Sequence, residues 1–293
     1  MDIKGQTVVI LGGKTGLLGQ ALCHAFVDAG AHPVALCSKD CDILDPKSVD
    51  MILDKEDPDI LINAAAYTQV DLAEDEQEKA FALNATAPPL LATLAARRSI
   101  PFVHYSTDFV FKGNKTAPYT EYDETCAFSV YGISKADGER GLLKLGYDRT
   151  LIIRISWLFG PGRINFVEKI LNLCDTHDTL TVVEDQFGSP SYSPDIATGT
   201  IKLLENDATG IFHLANSGQT SWHGLASMAA TLAGKDCTVT PVPSSAYPTK
   251  AVRPPYSVLD LSKYTRTTGM TPRRWEDALT EYVQKELRIH PEA

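Results

Sequence analysis

QTVVILGGKTGLLG, at residues 6–19, is the stretch from which the fold can be inferred. It opens with a short β-branched apolar run, and apolar residues then recur at helical spacing over residues 16–29, which predicts a strand followed by a helix. Gly13, Gly16 and Gly19 form a G-x-x-G-x-x-G pattern at the turn. Such glycines let a diphosphate approach the backbone at the N-terminal end of a helix. We therefore expect a dinucleotide cofactor to bind through Gly13, Lys14, Thr15, Gly16, Leu17, Leu18 and Gly19.

The alternation of apolar strand and amphipathic helix continues downstream. We predict further strands near residues 32–37, 59–63, 100–106 and 150–156, and a helical region at 71–98 that breaks at Pro88-Pro89. Beyond about residue 162 the alternation loosens. The sequence thus predicts an α/β protein: a Rossmann-type doubly wound parallel sheet forms an NAD(P)-binding domain at residues 1–160. A smaller C-terminal substrate-binding lobe, partly interleaved with the sheet, is predicted at residues 161–293.

The second predicted strand ends in Cys37-Ser38-Lys39 rather than in an acidic residue. An acid there would bind the ribose 2′-hydroxyl of NAD, whereas a hydroxyl and a cation suit the 2′-phosphate of NADP. We therefore expect NADPH as the cofactor, with NADH as the alternative, unless Lys39 is only a solvated loop charge. Residues that follow the second and third strands are expected to contact the cofactor: Ser38, Lys39, Asp42, Ile43, Ala64, Ala65, Ala66 and Tyr67.

Tyr131 and Lys135 lie four positions apart, about 25 residues after Thr107. Positions four apart share one face of a helix. A neighbouring ammonium would lower the pKa of the Tyr131 phenol from near 10 toward the range useful for proton transfer. An isolated Y-x-x-x-K pattern also arises from ordinary surface pairs, so this interpretation depends on the other motifs. We expect Thr107, at a strand end, to hydrogen-bond the same substrate oxygen as Tyr131.

The composition argues against several classes of partner. The 293 residues carry a formal net charge of −10 and have a pI near 5.2. A field of this sign repels nucleic-acid backbones and anionic membranes, so neither is expected as a partner. The sequence has no long apolar run and no secretory pattern, which predicts a cytoplasmic protein. Six scattered cysteines without a C-x-x-C pair indicate neither a zinc site nor a disulfide framework; no metal site is predicted, and a homodimer is left open.

The glycine turn, an alanine run and Thr107 ahead of Tyr-x-x-x-Lys together resemble the extended short-chain dehydrogenase/reductase superfamily. Within it, the chain is similar over nearly its whole length to the dTDP-4-dehydrorhamnose reductase family. Phe109 and Lys112 depart from the family's usual tyrosine and acidic residue. The segments that carry the resemblance are residues 13–19, 63–71, 106–111, 131–135, 154–157, 165–166, 185–188, 213–218 and 253–254.

This resemblance implies reduction by NADPH of the C4 keto group of a dTDP-linked deoxysugar, namely dTDP-4-dehydro-L-rhamnose to dTDP-L-rhamnose. It implies that Thr107, Tyr131 and Lys135 are catalytic, that Tyr131 and Lys135 also contact the cofactor, and that Asn84 supports the lysine. Arg253 is the candidate for the substrate diphosphate, since a guanidinium fork suits phosphate, unless it is an ordinary surface arginine. Trp157 either packs on the sugar or fills the core. The expected substrate-binding residues are Val70, Thr107, Asp108, Tyr131, Trp157 and Arg253.

Two other functions remain open. A nucleotide-sugar epimerase or dehydratase shares the glycine turn and the Tyr-x-x-x-Lys pattern. A non-catalytic regulatory subunit, resembling that of methionine adenosyltransferase, shares the family likeness without the reaction. Dehydratases of the superfamily typically carry a glutamate directly after Thr-Asp, where this chain has Phe109. A phenyl ring cannot act as a general base, which favours reduction.

Overall fold

The computed structural model describes residues 1–288. The strands are β1 (Thr7–Leu11), β2 (His32–Leu36), β3 (Ile60–Asn63), β4 (Phe102–Thr107), β5 (Thr150–Ile155), β6 (Leu158–Phe159), β7 (Thr179–Val183), β8 (Phe187–Gly188), β9 (Ser191–Tyr192), β10 (Gly210–His213), β11 (Thr220–Ser221) and β12 (Thr238–Val242). The α-helices are α1 (Leu17–Asp28), α2 (Pro46–Glu56), α3 (Val70–Ala73), α4 (Gln77–Phe81), α5 (Ala87–Arg97), α6 (Val130–Leu145), α7 (Phe166–Cys174), α8 (Ser193–Glu205), α9 (Trp222–Leu232), α10 (Ser262–Thr268) and α11 (Trp275–Glu281). Within residues 1–288, no helix combines the length and the apolar character needed to cross a membrane.

Six of the strands form one sheet in the order β10-β5-β4-β3-β1-β2. Every neighbouring pair in this sheet is parallel. The order reverses between β1 and β3, because the chain goes from β1 outward to β2 and then returns to the other side of β1. In doubly wound sheets, a crevice for ligands opens at the carboxyl ends of the strands at such a reversal. The predicted Rossmann-type doubly wound sheet is confirmed.

Helices cover both faces of the sheet with their apolar sides. On one face α1 packs against α8, and Leu22, Phe26 and Ile196 are fully buried there. On the other face α2 and α5 contribute Leu53 and Leu91 to a second cluster. Each such side chain contributes roughly 1.5–3 kcal/mol when it leaves water. The two clusters therefore hold the strand ends, and the crevice beside them, in fixed positions.

The chain beyond residue 160 contributes to two parts of the molecule. Helix α8 and strand β10 belong to the sheet layers, and His213 of β10 lies beside Arg154 of β5. A separate apolar cluster contains residues of β6, α7, α9 and α11, with Phe159, Tyr192 and Trp275 among its buried rings. We keep the division near residue 160 as a proposal, with a second lobe whose chain is interleaved with the sheet.

Pro88 and Pro89 do not break the helix before β4. Helix α4 continues through a π-helical turn at Ala82–Thr86 into α5, which carries both prolines in its first turn. Because Pro88 has no N–H, it cannot bond the carbonyl of Asn84 four residues earlier. That carbonyl lies against Gly138 of α6, where any side chain would collide with it. The predicted break is therefore wrong: a widened turn replaces it and lets α6 approach closely.

Candidate active site

A cavity of about 1040 Å³ runs along the carboxyl edge of the sheet. It begins at the glycine turn after β1, passes the ends of β3 and β4, and reaches residues of α7 and α9. The predicted site residues that line it are Thr15, Gly16, Leu17, Leu18, Ser38, Asp42, Ile43, Ala64, Ala65, Ala66, Val70, Thr107, Asp108, Tyr131, Lys135, Trp157 and Arg253. The predicted residues outside its lining are Gly13, Lys14, Gly19, Lys39 and Tyr67.

The glycines of the turn have different roles. Gly12 has a left-handed backbone, with φ of +84°, and it contacts the start of the alanine run. A Cβ on Gly13 would lie 2.9 Å from the Ile10 carbonyl oxygen, and one on Gly19 would collide with the Gly12 carbonyl. A Cβ on Gly16 would also lie 2.8 Å from the Gly12 carbonyl oxygen, so all three glycines are needed for the packing of the turn, and their contact with a diphosphate stays a prediction. Gly13 and Gly19 pack the turn against itself and its neighbours, while Gly16 faces the cavity at the N-terminus of α1.

An acidic residue that the sequence analysis overlooked lies just after β2. Asp40 accepts hydrogen bonds from the backbone N–H and the thiol of Cys37. It also accepts one from Lys14 Nζ at 2.7 Å, and this contact raises the pKa of the lysine and holds that of the carboxyl well below its usual range. Ser38 lines the cavity, but Lys39 does not. The cation at the end of β2 is therefore Lys14 rather than Lys39, and Lys14 neutralises the charge of Asp40.

The alanine run leads to a buried amide that fixes the backbone after β3. Asn84 is fully buried in the π-helical turn, where it accepts a hydrogen bond from the Tyr67 N–H and donates to the Tyr67 carbonyl and to Ser134 Oγ. The phenol of Tyr67 turns away from the cavity and donates to Glu76. Asn84 makes no direct hydrogen bond to Lys135 among residues 1–288. Asn84 thus contacts α6 at Ser134, the residue before Lys135, and its support of the lysine stays a prediction.

Tyr131 lies in the first turn of α6, which starts where the Ser129 hydroxyl accepts a hydrogen bond from the Gly132 N–H. Burial raises the pKa of the Tyr131 phenol to about 12, and this rise is opposed by a hydrogen bond with Thr107 and aided by the charge of Asp108. Lys135 does not contribute to the shift. The expectation that Lys135 lowers the pKa of Tyr131 is therefore wrong in this structure.

The reason is the direction in which Lys135 points. Lys135 is 2% exposed, and its ammonium group donates to the Tyr105 carbonyl at 2.5 Å and lies 3.2 Å from Nε2 of His104. Burial lowers the pKa of Lys135 to about 8, against the opposing charge of Glu139. His104 was missed by the sequence analysis; the available signal was an imidazole within the otherwise apolar start of β4.

Thr107 and Asp108 form a hydrogen-bonded pair at the end of β4. Thr107 Oγ1 donates to Asp108 Oδ1 at 3.1 Å, and Ser257 Oγ donates to Oδ2 at 2.6 Å. Burial raises the pKa of the Asp108 carboxyl to about 6, although both hydroxyls oppose the shift. Phe109 packs its ring against the edge of the Tyr131 ring, with centroids 5.6 Å apart. Ser257, some 150 residues downstream, carried no sequence signal of this contact.

At the far end of the cavity, aromatic rings line the wall. Trp157 stacks on Trp222 with ring centroids 3.6 Å apart, and Phe166 packs against Trp222 at 4.6 Å. Trp157 has a left-handed backbone, with φ of +46°, and a side chain at Gly188 would collide with its indole. Trp157, Trp222 and Phe166 all line the cavity, and the packing of Trp157 on the sugar stays a prediction.

The cations of the cavity differ in their pairing. Arg253 is held by Asp71 through two hydrogen bonds, of 3.1 and 2.7 Å, so part of its charge is already neutralised. Arg163 and Lys169 also line the cavity, and no salt bridge engages either of them within residues 1–288. Neither residue was singled out in the sequence: Arg163 lies in the loop before α7 and Lys169 within α7, where a lone cation is ordinary.

Comparisons with known proteins agree with this geometry. The family model described as "RmlD substrate binding domain" matches residues 6–288. The chain is 37% identical to a dTDP-4-dehydrorhamnose reductase of Aggregatibacter actinomycetemcomitans, over 97% of this chain and 99% of that protein. It is 39% identical to the spore coat polysaccharide biosynthesis protein SpsK of Bacillus subtilis, over 95% of this chain and 98% of that protein.

The fold comparison gives the same result. The dTDP-4-dehydrorhamnose reductase of Bacillus anthracis, solved in complex with NADP, superposes with a TM-score of 0.91 at 30% identity, over 95% of this chain and 98% of that one. Family model, sequence identity and fold thus coincide over nearly the full length. The chain belongs to the dTDP-4-dehydrorhamnose reductase family of the extended short-chain dehydrogenases/reductases.

Proposed function

We propose that this protein catalyses the NADPH-dependent reduction of the C4 keto group of a dTDP-linked deoxysugar, converting dTDP-4-dehydro-L-rhamnose to dTDP-L-rhamnose. The observation that carries the proposal is one continuous cavity with a glycine turn at one end and Thr107, Tyr131 and Lys135 further along it. A cavity of about 1040 Å³ is at the upper end of the usual range for ligand sites, as two elongated diphosphate esters require.

The side chains of the site suit reduction. When bound, the reduced nicotinamide supplies a hydride to the keto carbon. Tyr131 donates its proton to the oxygen that becomes the alkoxide. A phenol with a pKa of about 12 remains protonated at neutral pH, which is the form that a proton donor needs. Thr107 orients the same oxygen, and Lys135, when protonated, places a positive charge beside the reacting groups.

Two sets of cationic side chains are available for the diphosphates: Arg163 with Lys169, and Arg253. Arg163 lies on the loop that Gln20 of α1 holds by a hydrogen bond to the Gly162 carbonyl. This bond ties the Arg163 loop to the helix whose N-terminus would bind the cofactor diphosphate. We infer that Arg163 and Lys169 bind diphosphate charge more strongly than Arg253, because Asp71 already holds the Arg253 guanidinium.

The choice of cofactor is part of the proposal. Ser38 lines the cavity, and the carboxylate of Asp40 is paired with Lys14, so the repulsion of a 2′-phosphate by Asp40 is reduced at the end of β2. The relative from Bacillus anthracis is described in complex with NADP. NADH remains the alternative. A cytoplasmic location and a homodimer remain predictions, to be tested by cell fractionation and by size-exclusion chromatography.

Dehydration and epimerisation are less well supported. The residue after Thr107-Asp108 is Phe109, whose ring packs on Tyr131 and offers no base for the removal of water. A regulatory role without catalysis would not require the buried arrangement of Thr107, Tyr131 and Lys135.

The test is incubation of the purified protein with dTDP-4-dehydro-L-rhamnose and NADPH. We expect one equivalent of NADPH to be oxidised for each sugar reduced, measured by cofactor absorbance and by mass spectrometry of the product. dTDP-glucose without reductant serves as the second substrate. Formation of a 4-keto-6-deoxy sugar from dTDP-glucose, or a cofactor that stays bound and is never consumed, would contradict the proposal.

A further inference from the structure

A chain of buried polar contacts leads from the backbone after β3 to the catalytic lysine. The Ala65 N–H donates to Asn63 Oδ1 at 3.2 Å. Asn63 Nδ2 lies 3.1 Å from Nδ1 of His104. On the other side of the ring, Nε2 of His104 lies 3.2 Å from Lys135 Nζ. Asn63 and His104 are each 1% exposed, so solvent does not satisfy these groups.

In this series of hydrogen bonds, the direction of each bond determines the direction of the next. A backbone N–H can only donate, so the oxygen of the Asn63 amide must face Ala65, and its NH2 group must face His104. Nδ1 of His104 therefore accepts a hydrogen bond. A neutral imidazole that accepts at Nδ1 carries its hydrogen on Nε2, which points at Lys135. An ammonium has no lone pair to accept that hydrogen, whereas an uncharged amine has one.

Burial acts in the same direction. Burial, and then the charge of Lys135, keep the pKa of His104 well below its ordinary value, so the ring stays neutral. The remaining hydrogen bond of Lys135 goes to the Tyr105 carbonyl, and an uncharged amine can also donate it. All the hydrogen bonds from the Ala65 N–H to Lys135 are satisfied together only when Lys135 carries no charge.

The other ionisable groups around Lys135 come from three elements. Glu139 lies one turn further along α6 and favours the ammonium. Arg154 of β5 compensates much of this charge, because it donates to both Glu139 oxygens at 2.9 and 2.6 Å, and its other side meets His213. Tyr131 of α6 and Asp108, which follows β4, line the same cavity.

We propose that Asn63 is a positioning residue which, by fixing the tautomer of His104, favours the uncharged form of Lys135 and so sets the pH range in which the enzyme works. The link to catalysis rests on the proposed reductase function, whereas the tautomer and the charge of Lys135 are properties of the protein alone. His104 acts only through Lys135 and is likewise a positioning residue.

The first test uses the unaltered protein. Long-range ¹⁵N–¹H correlation spectra distinguish the two neutral tautomers of a histidine from the imidazolium. We expect His104 to carry its hydrogen on Nε2 at neutral pH. A hydrogen on Nδ1, or a doubly protonated ring, would overturn the proposal without any reference to activity.

The second test reverses the hydrogen-bond pattern with Asn63→Asp. A carboxylate accepts from the Ala65 N–H and from His104 Nδ1–H, so the ring hydrogen moves and Nε2 becomes an acceptor for the Lys135 ammonium. Titration of the labelled lysine side chain by NMR, with Lys135→Met to assign the signal, should show the pKa of Lys135 rise by about one pH unit or more. The alkaline limb of the kcat/KM profile should move upward with it, whereas a merely structural defect would lower activity at every pH.

The added carboxylate also acts on Lys135 directly, so the same change is made in a His104→Phe background. The phenyl ring keeps the stacking of His104 on Phe102 and removes both ring nitrogens. We expect a clearly smaller shift of the lysine pKa in that background. Equal shifts in the two backgrounds, or no shift in either, would show that His104 does not transmit the effect. The expected rise of the Lys135 pKa in the NMR titration, together with a failed reductase assay, would instead leave this inference standing and remove the proposed function.

Discussion

The indole rings of Trp157 and Trp222 stack 3.6 Å apart and 7° from parallel, although the residues lie 65 positions apart in the chain. The stack joins the loop after β5 to the first residue of α9 and forms part of the cavity wall. We expect Trp222→Ala to raise KM for the sugar nucleotide roughly 2- to 12-fold with a smaller change in kcat, because it removes an aromatic contact worth about 0.5–1.5 kcal/mol. Steady-state kinetics are the measurement. Trp222→Phe keeps a ring, so its KM should lie between those of the unaltered protein and of Trp222→Ala. An unchanged KM would remove Trp222 from substrate binding.

Tyr131→Phe is expected to lower turnover roughly 10²- to 10⁴-fold with little change in cofactor affinity, since it removes the proton donor and keeps the ring. Tyr67→Phe is the matched control, because the Tyr67 phenol contacts Glu76 outside the cavity. Turnover and cofactor binding should be measured for both. Near-normal turnover of the Tyr131 variant would exclude the phenol from the mechanism.

Lys14→Ala is expected to reduce the preference for NADPH over NADH roughly 2- to 5-fold. It leaves the Asp40 carboxylate uncompensated at the end of β2, where it repels a 2′-phosphate, and the effect is small because solvent screens exposed charges. Lys39→Ala is the control, because Lys39 lies outside the cavity lining, and it should leave the ratio of kcat/KM values unchanged. If Lys39→Ala changed the cofactor preference more than Lys14→Ala, the expectation from the sequence that Lys39 binds the 2′-phosphate would be supported.

Asp108 gives the folded protein a defined dependence on pH. Its carboxyl has a pKa of about 6 when folded, above the ordinary value, so the folded state holds this proton more tightly than the unfolded state. The contribution of Asp108 to stability is therefore most favourable below pH 4, declines as the pH rises to 6, and is lowest above 6. The difference amounts to roughly 3 kcal/mol.

Asp108→Asn should remove this dependence. Denaturant unfolding at pH 4 and pH 7 should show the variant gaining stability relative to the unaltered protein at the higher pH. A constant difference between the two proteins across that range would mean that the Asp108 carboxyl is not destabilised by burial. Ser257→Ala provides a second measure, since it removes a donor to the carboxylate and should raise the pKa of Asp108 further.

The sequence predicted what depends on local pattern. The apolar run before Gly12 and the helical spacing after Gly16 are sufficient for the strand, turn and helix that the structure shows at residues 7–28. Spacing along a helix also placed Tyr131 and Lys135 in one cavity.

The sequence did not predict the contacts of side chains whose possible partners come from different parts of the chain. Lys135 shares a helix face with Tyr131, yet its Nζ points to the end of β4, because the Tyr105 carbonyl offers a buried acceptor there. Asp71 holds Arg253 from 182 positions away. Periodicity carries no information about such choices, since they depend on which groups the finished fold brings within reach.

The position of β10 has a consequence for how the polypeptide reaches this structure. Residues 210–213 complete the sheet beside β5, and α8 supports α1, although both follow α7 of the second lobe in the chain. A ribosome must therefore release more than 200 residues before the edge of β5 is paired. A fragment cut near residue 160 would expose that edge and the apolar side of α1, and we expect it to aggregate rather than to fold as an autonomous nucleotide-binding unit.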